Sequence, residues 1–266
     1  MNLSELLEPC LAIAVEAGDA IMQVYGSDFA VTHKDDASPL TQADLAAHHL
    51  IVERLARLTP ALPCLSEESS AIAFEQRRAW QRYWLVDPLD GTKEFVKRNG
   101  EFTVNIALIE QGAPVLGVVH APALGVSYFA AAGCGAGRLR DGARSTIRTR
   151  STPQRPALVV SRSHHDAALD RFLAHAPPHE ELSRGSSLKF CLVAEGAADF
   201  YPRTGPTSEW DTAAGHCVAE QAGAQVLSLP DWAPLRYNAK ESLLNPGFVV
   251  IGDAAYGWRG KLAAAA

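Results

Sequence analysis

The sequence predicts a layered α+β fold in which helices cover β-sheets. Three observations support this: the chain has 266 residues of which 47% are apolar, its first sixty residues carry two long helical patterns, and strand-like and helix-like patterns alternate in its second half. A chain of this size and apolarity can bury a large core, and alternating elements are typical of packed α and β layers.

Two amphipathic helices are predicted at the N-terminus. Apolar residues recur at helical spacing from Leu3 to Val24 and stop before Gly26, a residue type that often terminates helices. A second helix is expected to begin at Thr41, which can act as a cap, and to end before Pro60. Both helices present an apolar side.

A meander of antiparallel strands is predicted to follow these helices. Short apolar runs separated by glycine and proline indicate strands at Tyr83–Val86, Phe102–Ile109, Val115–His120 and Val126–Ala130. The glycine-rich segment Gly133–Gly142 is interpreted as a hairpin turn.

A connector at Ser151–Pro156 suggests a domain boundary. We therefore expect an N-terminal α+β domain at residues 1–152 and a C-terminal α/β domain at residues 153–266. The strands predicted in the second domain are Ala157–Ser161, Ala197–Tyr201, Val226–Ser228 and Phe248–Ile251. Its predicted helices are Asp166–Ala176, Leu188–Glu195 and Thr212–Ala222.

Charge and cysteine content exclude several classes of protein. A net charge of −6 argues against a surface dedicated to a nucleic acid polymer. Five scattered cysteines without a C-x-x-C pair predict neither a disulfide framework nor a zinc site. With no readable signal peptide and no membrane-spanning apolar run, a cytoplasmic protein is expected. Peripheral association with the cytoplasmic face of the inner membrane and the oligomeric state stay open.

An acidic turn follows directly on a predicted buried strand. Asp87 and Asp90 emerge together after Trp84–Val86, and a proline and Gly91 make the turn tight enough for backbone N–H groups to approach an anion. Neighbouring carboxylates repel each other unless a cation or a shared proton neutralises them. Oxygen ligands without Cys or His favour Mg²⁺, and the Leu89 carbonyl could add another oxygen.

The same acidic turn is also compatible with an ordinary surface turn, because Asp, Pro and Gly are common in turns. Two further acidic segments, Ser66–Glu68 and Glu209–Thr212, add weight to the metal interpretation. Each has a structural alternative, since Ser66 and Thr212 could be helix caps and their acidic neighbours could complement helix dipoles. Their joint occurrence favours a metal site.

Three segments together resemble the signatures of the inositol monophosphatase superfamily of lithium-sensitive, Mg²⁺-dependent phosphatases. They are Glu67–Glu68, Asp87–Thr92 and Trp210–Gly215, and the resemblance extends over nearly the whole chain. It implies a layered α-β-α-β-α sandwich of the inositol monophosphatase and fructose-1,6-bisphosphatase type. It also implies a site for two or three Mg²⁺ ions.

The resemblance assigns roles to residues that match the family motifs. The expected metal ligands are Glu67, Asp87, the carbonyl of Leu89, Asp90 and Asp211. Most of these residues belong to the first predicted domain, and only Asp211 belongs to the second.

Further roles concern the substrate and the nucleophile. Gly91 and Thr92 would offer backbone N–H groups to the phosphate. The Thr92 hydroxyl, paired with Asp44 and assisted by Glu67, would orient and deprotonate a metal-activated water. The residues expected to contact substrate are Glu67, Leu89, Asp90, Gly91, Thr92, Ser186, Lys189, Arg203 and Asp211.

Longer segments narrow the resemblance to the bacterial 3'(2'),5'-bisphosphate nucleotidases of the CysQ type. These segments are Asp87–Phe95, Asn99–Ala107 and Gly185–Gly196. The implied reaction removes the 3'-phosphate of adenosine 3',5'-bisphosphate, a by-product of sulfate assimilation, and gives AMP and phosphate. The implied partner is therefore a small nucleotide bisphosphate.

The assignment of the nucleotide pocket has alternatives. Ser186, Lys189 and Arg203 match positions that line this pocket in related enzymes, although solvated surface charge is the commoner fate of Lys and Arg. A metal site alone does not distinguish leaving groups, so an inositol monophosphatase or a broad sugar phosphatase is an alternative activity. A non-catalytic nucleotide sensor is an alternative of another class.

Overall fold

The chain forms two β-sheets with helices on both sides of each. The structure is a computed structural model that describes residues 2–27, 39–162 and 167–262. The helices are α1 (Leu3–Tyr25), α2 (Pro39–Leu58), α3 (Phe74–Arg77), α4 (Thr92–Val96), α5 (Ala167–Leu173), α6 (Leu188–Ala194), α7 (Glu209–Gln221) and α8 (Trp258–Leu262). None of these described helices combines the length and apolarity needed to cross a bilayer.

The first sheet has seven strands in chain order. Its strands are β1 (Cys64–Ser66), β2 (Arg82–Asp90), β3 (Thr103–Glu110), β4 (Ala113–Ala121), β5 (Val126–Ala131), β6 (Gly135–Arg140) and β7 (Ala143–Ile147). From β2 to β7 every neighbouring pair is antiparallel, which confirms the predicted meander. Only β1 pairs with β2 in parallel.

The second sheet has six strands and a mixed arrangement. Its strands are β8 (Ala157–Ser161), β9 (Glu180–Arg184), β10 (Phe200–Arg203), β11 (Gln225–Ser228), β12 (Ala233–Pro234) and β13 (Phe248–Ile251). Their spatial order is β12-β11-β13-β10-β8-β9. The two pairs that β8 makes, with β9 and with β10, are parallel.

Alternation along the strands divides the core into layers. On β2, Trp84 and Val86 pack with α1 and α2, whereas Tyr83 and Leu85 point to the opposite face and pack with α6 and α7. The outer face of the second sheet packs against α5 and α8. The order is helices, sheet, helices, sheet, helices, which is the predicted α-β-α-β-α sandwich.

The structure differs from several local predictions. The strand predicted at Ala197–Tyr201 is shifted toward the C-terminus and is β10, Phe200–Arg203. Helix α2 begins at Pro39 instead of Thr41, because proline has no N–H to lose in a first helical turn. The segment Gly133–Gly142 is not a single turn: it contains strand β6, whose residues pair with β5 along its whole length. Strand β9 was not predicted, since its sequence is mostly charged and polar.

The predicted division at residue 152 falls between the two sheets. A single apolar cluster nevertheless includes Leu85 and Val119 of the first sheet, Cys217 of α7, and Phe248 of the second sheet. The two sheets therefore share a core through the middle helix layer. Division into two domains stays a prediction.

Candidate active site

Parallel pairing of β1 with β2 brings two acidic segments to the same end of the first sheet. Leu65 pairs with Leu85 and Ser66 with Val86, so Glu67 and Asp87 both follow directly on paired positions. The first of these segments continues as a short 3₁₀ turn at Glu67–Ser69. This pairing explains how carboxylates twenty positions apart in sequence come together.

The acidic turn is a bulge at the end of β2. Asp87 pairs with Asn105 and Asp90 with Thr103, so three steps along β2 face two steps along β3. Such a bulge redirects side chains, and proline at position 88 is tolerated there because it has no ladder N–H to contribute. Both carboxylates therefore lie at the end of β2, beside the acidic segment that follows β1.

Gly91 closes the turn in a conformation that suits glycine. Its φ of 91° lies in the left-handed region. A Cβ at this position would lie 3.2 Å from the Glu101 carbonyl oxygen and 3.3 Å from the Ser186 Cβ. The backbone of the turn therefore packs closely against two other segments before α4 begins at Thr92.

Asp87 is the most deeply buried acid of this site. It is 1% exposed, and its Oδ1 accepts a hydrogen bond from the Leu89 N–H at 3.1 Å. Burial raises the pKa of Asp87 well above its usual range, and the charges of Glu67, Asp90 and Asp211 raise it further. A group of acids that raise one another's pKa is stabilised by a cation.

Asp90 is held by donors from the loop between β9 and α6. Its Oδ2 accepts from the Ser186 hydroxyl at 2.5 Å, from the Ser187 N–H at 2.8 Å and from the Ser187 hydroxyl at 3.2 Å. The Asn105 amide lies 3.5 Å from the same oxygen. One carboxylate oxygen of Asp90 is thus engaged by protein, which fixes the direction of the other.

Asp211 reaches the site from the first turn of α7. Helix α7 begins at Glu209, so Thr212 is not the cap that one interpretation of the sequence suggested. The cap is Ser208, whose backbone N–H donates to Asp211 Oδ2 at 2.9 Å. Burial and the charge of Asp90 raise the pKa of Asp211 to about 7.

Asp44 on α2 lies beside the acids that follow β1. Its carboxyl is hydrogen-bonded to Glu68, and burial followed by the charge of Glu68 raises its pKa to about 8. Among the described residues, those that line the central cavity include Thr92 but not Asp44. The pairing of Asp44 with the Thr92 hydroxyl stays a prediction.

Lys189 and Arg203 are buried, contrary to the surface alternative. Lys189 is 6% exposed and Arg203 is 7% exposed. The Lys189 ammonium donates to the Ser186 carbonyl, and burial lowers the pKa of Lys189 to about 8. The Arg203 guanidinium donates to the carbonyls of Gly205 and Pro206 at 3.2 and 2.9 Å. Two buried cations therefore lie close to the acidic turn.

Most of the predicted site residues line one cavity of about 240 Å³. Those that line it are Glu67, Asp87, Leu89, Asp90, Gly91, Thr92, Ser186, Lys189, Arg203 and Asp211. Every predicted metal or substrate residue is in this set. The cavity has an acidic wall and a basic wall, which suits a metal ion together with a phosphate ester.

The composition of the acidic wall fits Mg²⁺ in an open site. Its donors are carboxylates and one backbone carbonyl, the hard oxygen ligands that Mg²⁺ prefers. Within the described ranges, no group of three or more His, Cys, Asp or Glu side chains is arranged to hold an ion by itself. Mg²⁺ usually keeps water and substrate oxygens in its shell.

Sequence reasoning missed several residues that organise the site. Ser187 and Asn105 contact Asp90, and the Ser187 hydroxyl also donates to the Asp211 carbonyl at 2.6 Å. The Thr103 hydroxyl lies 2.5 Å from that of Ser186. These residues belong to segments that resemble the family, but small polar residues carry no chemical signal of their own.

Comparisons with known proteins agree with this geometry. The family model described as "Inositol monophosphatase family" matches residues 2–252. A 3'(2'),5'-bisphosphate nucleotidase CysQ from Salmonella typhimurium is 57% identical over 92% of this chain and 99% of the relative.

Solved structures give the same result. The crystal structure of CysQ from Bacteroides thetaiotaomicron, described as a bacterial member of the inositol monophosphatase family, has a TM-score of 0.84 and 42% identity, covering 92% of this chain and 96% of that one. An inositol monophosphatase from Anabaena has a TM-score of 0.78 and 25% identity, covering 100% and 96%. The chain therefore belongs to the inositol monophosphatase family.

Proposed function

We propose that the chain hydrolyses the 3'-phosphate of adenosine 3',5'-bisphosphate to AMP and phosphate in the presence of Mg²⁺. The observation that carries this proposal is the cavity whose acidic wall faces two buried cations. A substrate with two phosphates needs one metal-assisted site and one cationic site. The identity to relatives named 3'(2'),5'-bisphosphate nucleotidase supports the same substrate class.

Five groups would hold the metal ions. They are the carboxylates of Glu67, Asp87, Asp90 and Asp211 and the carbonyl of Leu89. When bound, Mg²⁺ supplies Lewis-acid activation of water and neutralises charge that develops on the leaving oxygen. The number of ions, two or three, belongs to the proposal.

The protein groups have separate tasks in this proposal. The hydroxyl of Thr92 orients the attacking water and passes its proton on to the carboxylate of Asp44, with Glu67 assisting. The backbone N–H groups of Gly91 and Thr92 bind the phosphate that is transferred. Lys189 and Arg203 bind the second phosphate, where burial strengthens each charge-assisted hydrogen bond. No covalent intermediate on the protein is needed.

The decisive experiment is a substrate panel. We expect the kcat/KM for adenosine 3',5'-bisphosphate to exceed those for inositol 1-phosphate and fructose 1,6-bisphosphate, with Li⁺ and Ca²⁺ inhibiting. A preference for inositol 1-phosphate or a sugar phosphate would replace the proposed substrate. Tight nucleotide binding without phosphate release at saturating Mg²⁺ would instead support a sensor.

The site is tested by one substitution. Asp90→Asn should lower kcat/KM by roughly 100-fold or more, because it removes a ligand charge that the surrounding donors hold in place. Asp141→Asn is the matched control, since Asp141 is exposed and lies on a distant hairpin turn at φ 50°, which Asn tolerates. Wild-type activity in Asp90→Asn would contradict the site.

A further inference from the structure

A buried acid behind the cavity joins three segments of the fold. Glu101 is 5% exposed and lies between α4 and β3. It accepts hydrogen bonds from Arg162 Nε at 2.8 Å and Nη2 at 2.9 Å, from Arg184 Nη1 at 2.8 Å and from the Gly185 N–H at 2.8 Å. Four donors on one carboxylate make a rigid junction, because each bond to a charged group is stronger than a neutral one.

These partners lie at or just beyond the ends of two strands of the second sheet, whereas Glu101 lies in the segment that leads into β3 of the first sheet. Arg162 follows β8, and Arg184 is the last residue of β9. The parallel pairing of these strands puts Ser161 opposite Arg184, so the two arginines reach the same acid from neighbouring strand ends. Burial by itself would raise the pKa of Glu101, but its hydrogen bonds to the arginines and to Gly185 hold the pKa below its ordinary value.

The junction leads directly to Asp90. Gly185 is followed by Ser186 and Ser187. The Ser186 hydroxyl and the Ser187 N–H donate to Asp90 Oδ2, and the Ser187 hydroxyl lies 3.2 Å from the same oxygen. Ser186 has a φ of 51°, an uncommon conformation for a residue with a side chain. A strained residue of this kind persists only where its surroundings hold it.

The fit around Gly185 is also close. A Cβ on Gly185 would lie 2.6 Å from the Glu94 Cγ and 2.9 Å from the Glu101 carbonyl oxygen. The same carbonyl oxygen lies 3.2 Å from the Cβ position of Gly91 in the acidic turn. Glu101 therefore contacts both the loop that supports Asp90 and the turn that contains it.

We propose that Glu101, together with Arg162 and Arg184, is a positioning unit that holds the Gly185–Ser187 loop against Asp90 and thereby sets the orientation of that carboxylate in the site. This inference rests on the proposed function, since it assigns Asp90 to the metal. Glu101 itself does not line the cavity among the described residues, so it acts through the loop and not on substrate.

The chain contains a matched control for this unit. Asp199 is a fully buried acid that also accepts two hydrogen bonds from one arginine, Arg150, at 2.8 Å each, and one from a backbone N–H, that of Ala157, at 2.7 Å. The side chains of Arg150 and Arg162 are 42% and 41% exposed. Asp199 precedes β10 and is absent from the described lining of the cavity.

The test compares Glu101→Gln and Arg184→Ala with Asp199→Asn. We expect Glu101→Gln to raise the Mg²⁺ concentration for half-maximal activity and to lower kcat by roughly 10- to 100-fold, the range for residues that support metal ligands, with little change in KM. Arg184→Ala removes one exposed donor without leaving a buried acid unpaired, so it should fold and show a smaller effect of the same kind. The control Asp199→Asn should leave Mg²⁺ dependence and kcat within about twofold of wild type.

Two measurements that do not depend on catalysis test the positioning role separately from the proposed activity. Hydrogen exchange at the Ser187 N–H, which is bonded to Asp90, should be at least about tenfold faster in Glu101→Gln than in wild type and unchanged in Asp199→Asn. The rise in melting temperature that Mg²⁺ produces should be smaller in Glu101→Gln than in wild type and unchanged in Asp199→Asn. If wild type releases no phosphate, the proposed function fails, while the exchange and thermal-shift measurements still decide the positioning role.

Three results would overturn the proposal. Unchanged exchange at Ser187 in Glu101→Gln would show that the loop does not depend on the junction. An equal loss of activity in Asp199→Asn would show a general loss of stability. A rise in KM confined to Arg184→Ala, with normal exchange, would place Arg184 on the substrate instead.

Discussion

Asp211→Asn should stabilise the metal-free protein while it abolishes activity. Burial raises the pKa of Asp211 from its ordinary 3.8 to about 7, a difference of about three units. At ~1.4 kcal/mol per unit this corresponds to about 4 kcal/mol. Since neighbouring acids share the effect, this value is an upper bound, and we expect a gain of at least about 1 kcal/mol in the free energy of unfolding at pH 8.

The sign follows from proton linkage. Between pH 3.8 and pH 7 the unfolded chain ionises Asp211 while the folded protein keeps it protonated, so the free energy of unfolding falls as pH rises. Above pH 7 the loss is complete. Asparagine carries no charge, and its side-chain oxygen can still accept the hydrogen bond from the Ser208 N–H. The advantage of the variant should therefore grow from pH 4 to pH 8.

The assay is urea unfolding in EDTA at several pH values, followed by tryptophan fluorescence. Asp141→Asn serves as the control and should show no pH-dependent gain. Added Mg²⁺ should stabilise wild type and have much less effect on Asp211→Asn. A variant that is less stable than wild type at pH 8 without metal would refute the electrostatic account of the site.

Further predictions concern stability and metal dependence. Gly117→Ala should cost roughly 1–3 kcal/mol in urea unfolding, because its Cβ would lie 2.4 Å from the Ala214 carbonyl oxygen, whereas Gly260→Ala meets no atom within 4 Å and should be nearly neutral. Burial lowers the pKa of His120 from 6.5 to about 4, so the contribution of His120 to the free energy of unfolding should fall by up to about 3 kcal/mol as pH falls through this window, opposite in sign to the contribution of Asp211. His120→Gln should remove this fall, whereas the control His175→Gln, at an exposed position, should not. Urea unfolding across this pH range measures both variants. An equal response in both would contradict the assignment of the fall to His120. EDTA should abolish phosphate release and Mg²⁺ should restore it, and activity that persists in EDTA would exclude metal dependence.

Local patterns in the sequence predicted much of the fold. The apolar spacing of α1, the runs of β2 to β5 and the alternation of elements in the second half each follow from short-range periodicity. Strand β9 escaped prediction because its pairing with β8 stabilises a charged segment that has no apolar signature. The β6 strand was hidden by glycines, since pairing with β5 and β7 and not an apolar pattern holds it in the sheet.

Within the site, the acids could be found from local motifs, whereas the residues that hold them in place could not. Asp87, Asp90 and Asp211 stand in motifs that predict metal chemistry, so the sequence by itself predicted a metal site at these acids. Its supports, such as Glu101 and Ser187, could not be predicted, because a salt bridge or a hydroxyl contact between distant segments leaves no local pattern.

The sequence by itself thus determined most of the elements and the acidic motifs, since periodicity and motif composition are local properties of a chain. Only the tertiary structure decided which charges are buried and which meet. Lys189 and Arg203 have the composition of surface residues, yet packing buries both beside the acids. The reason is physical: burial and the charges of neighbours depend on contacts between segments far apart in sequence, and these contacts set each pKa and each hydrogen bond of the site.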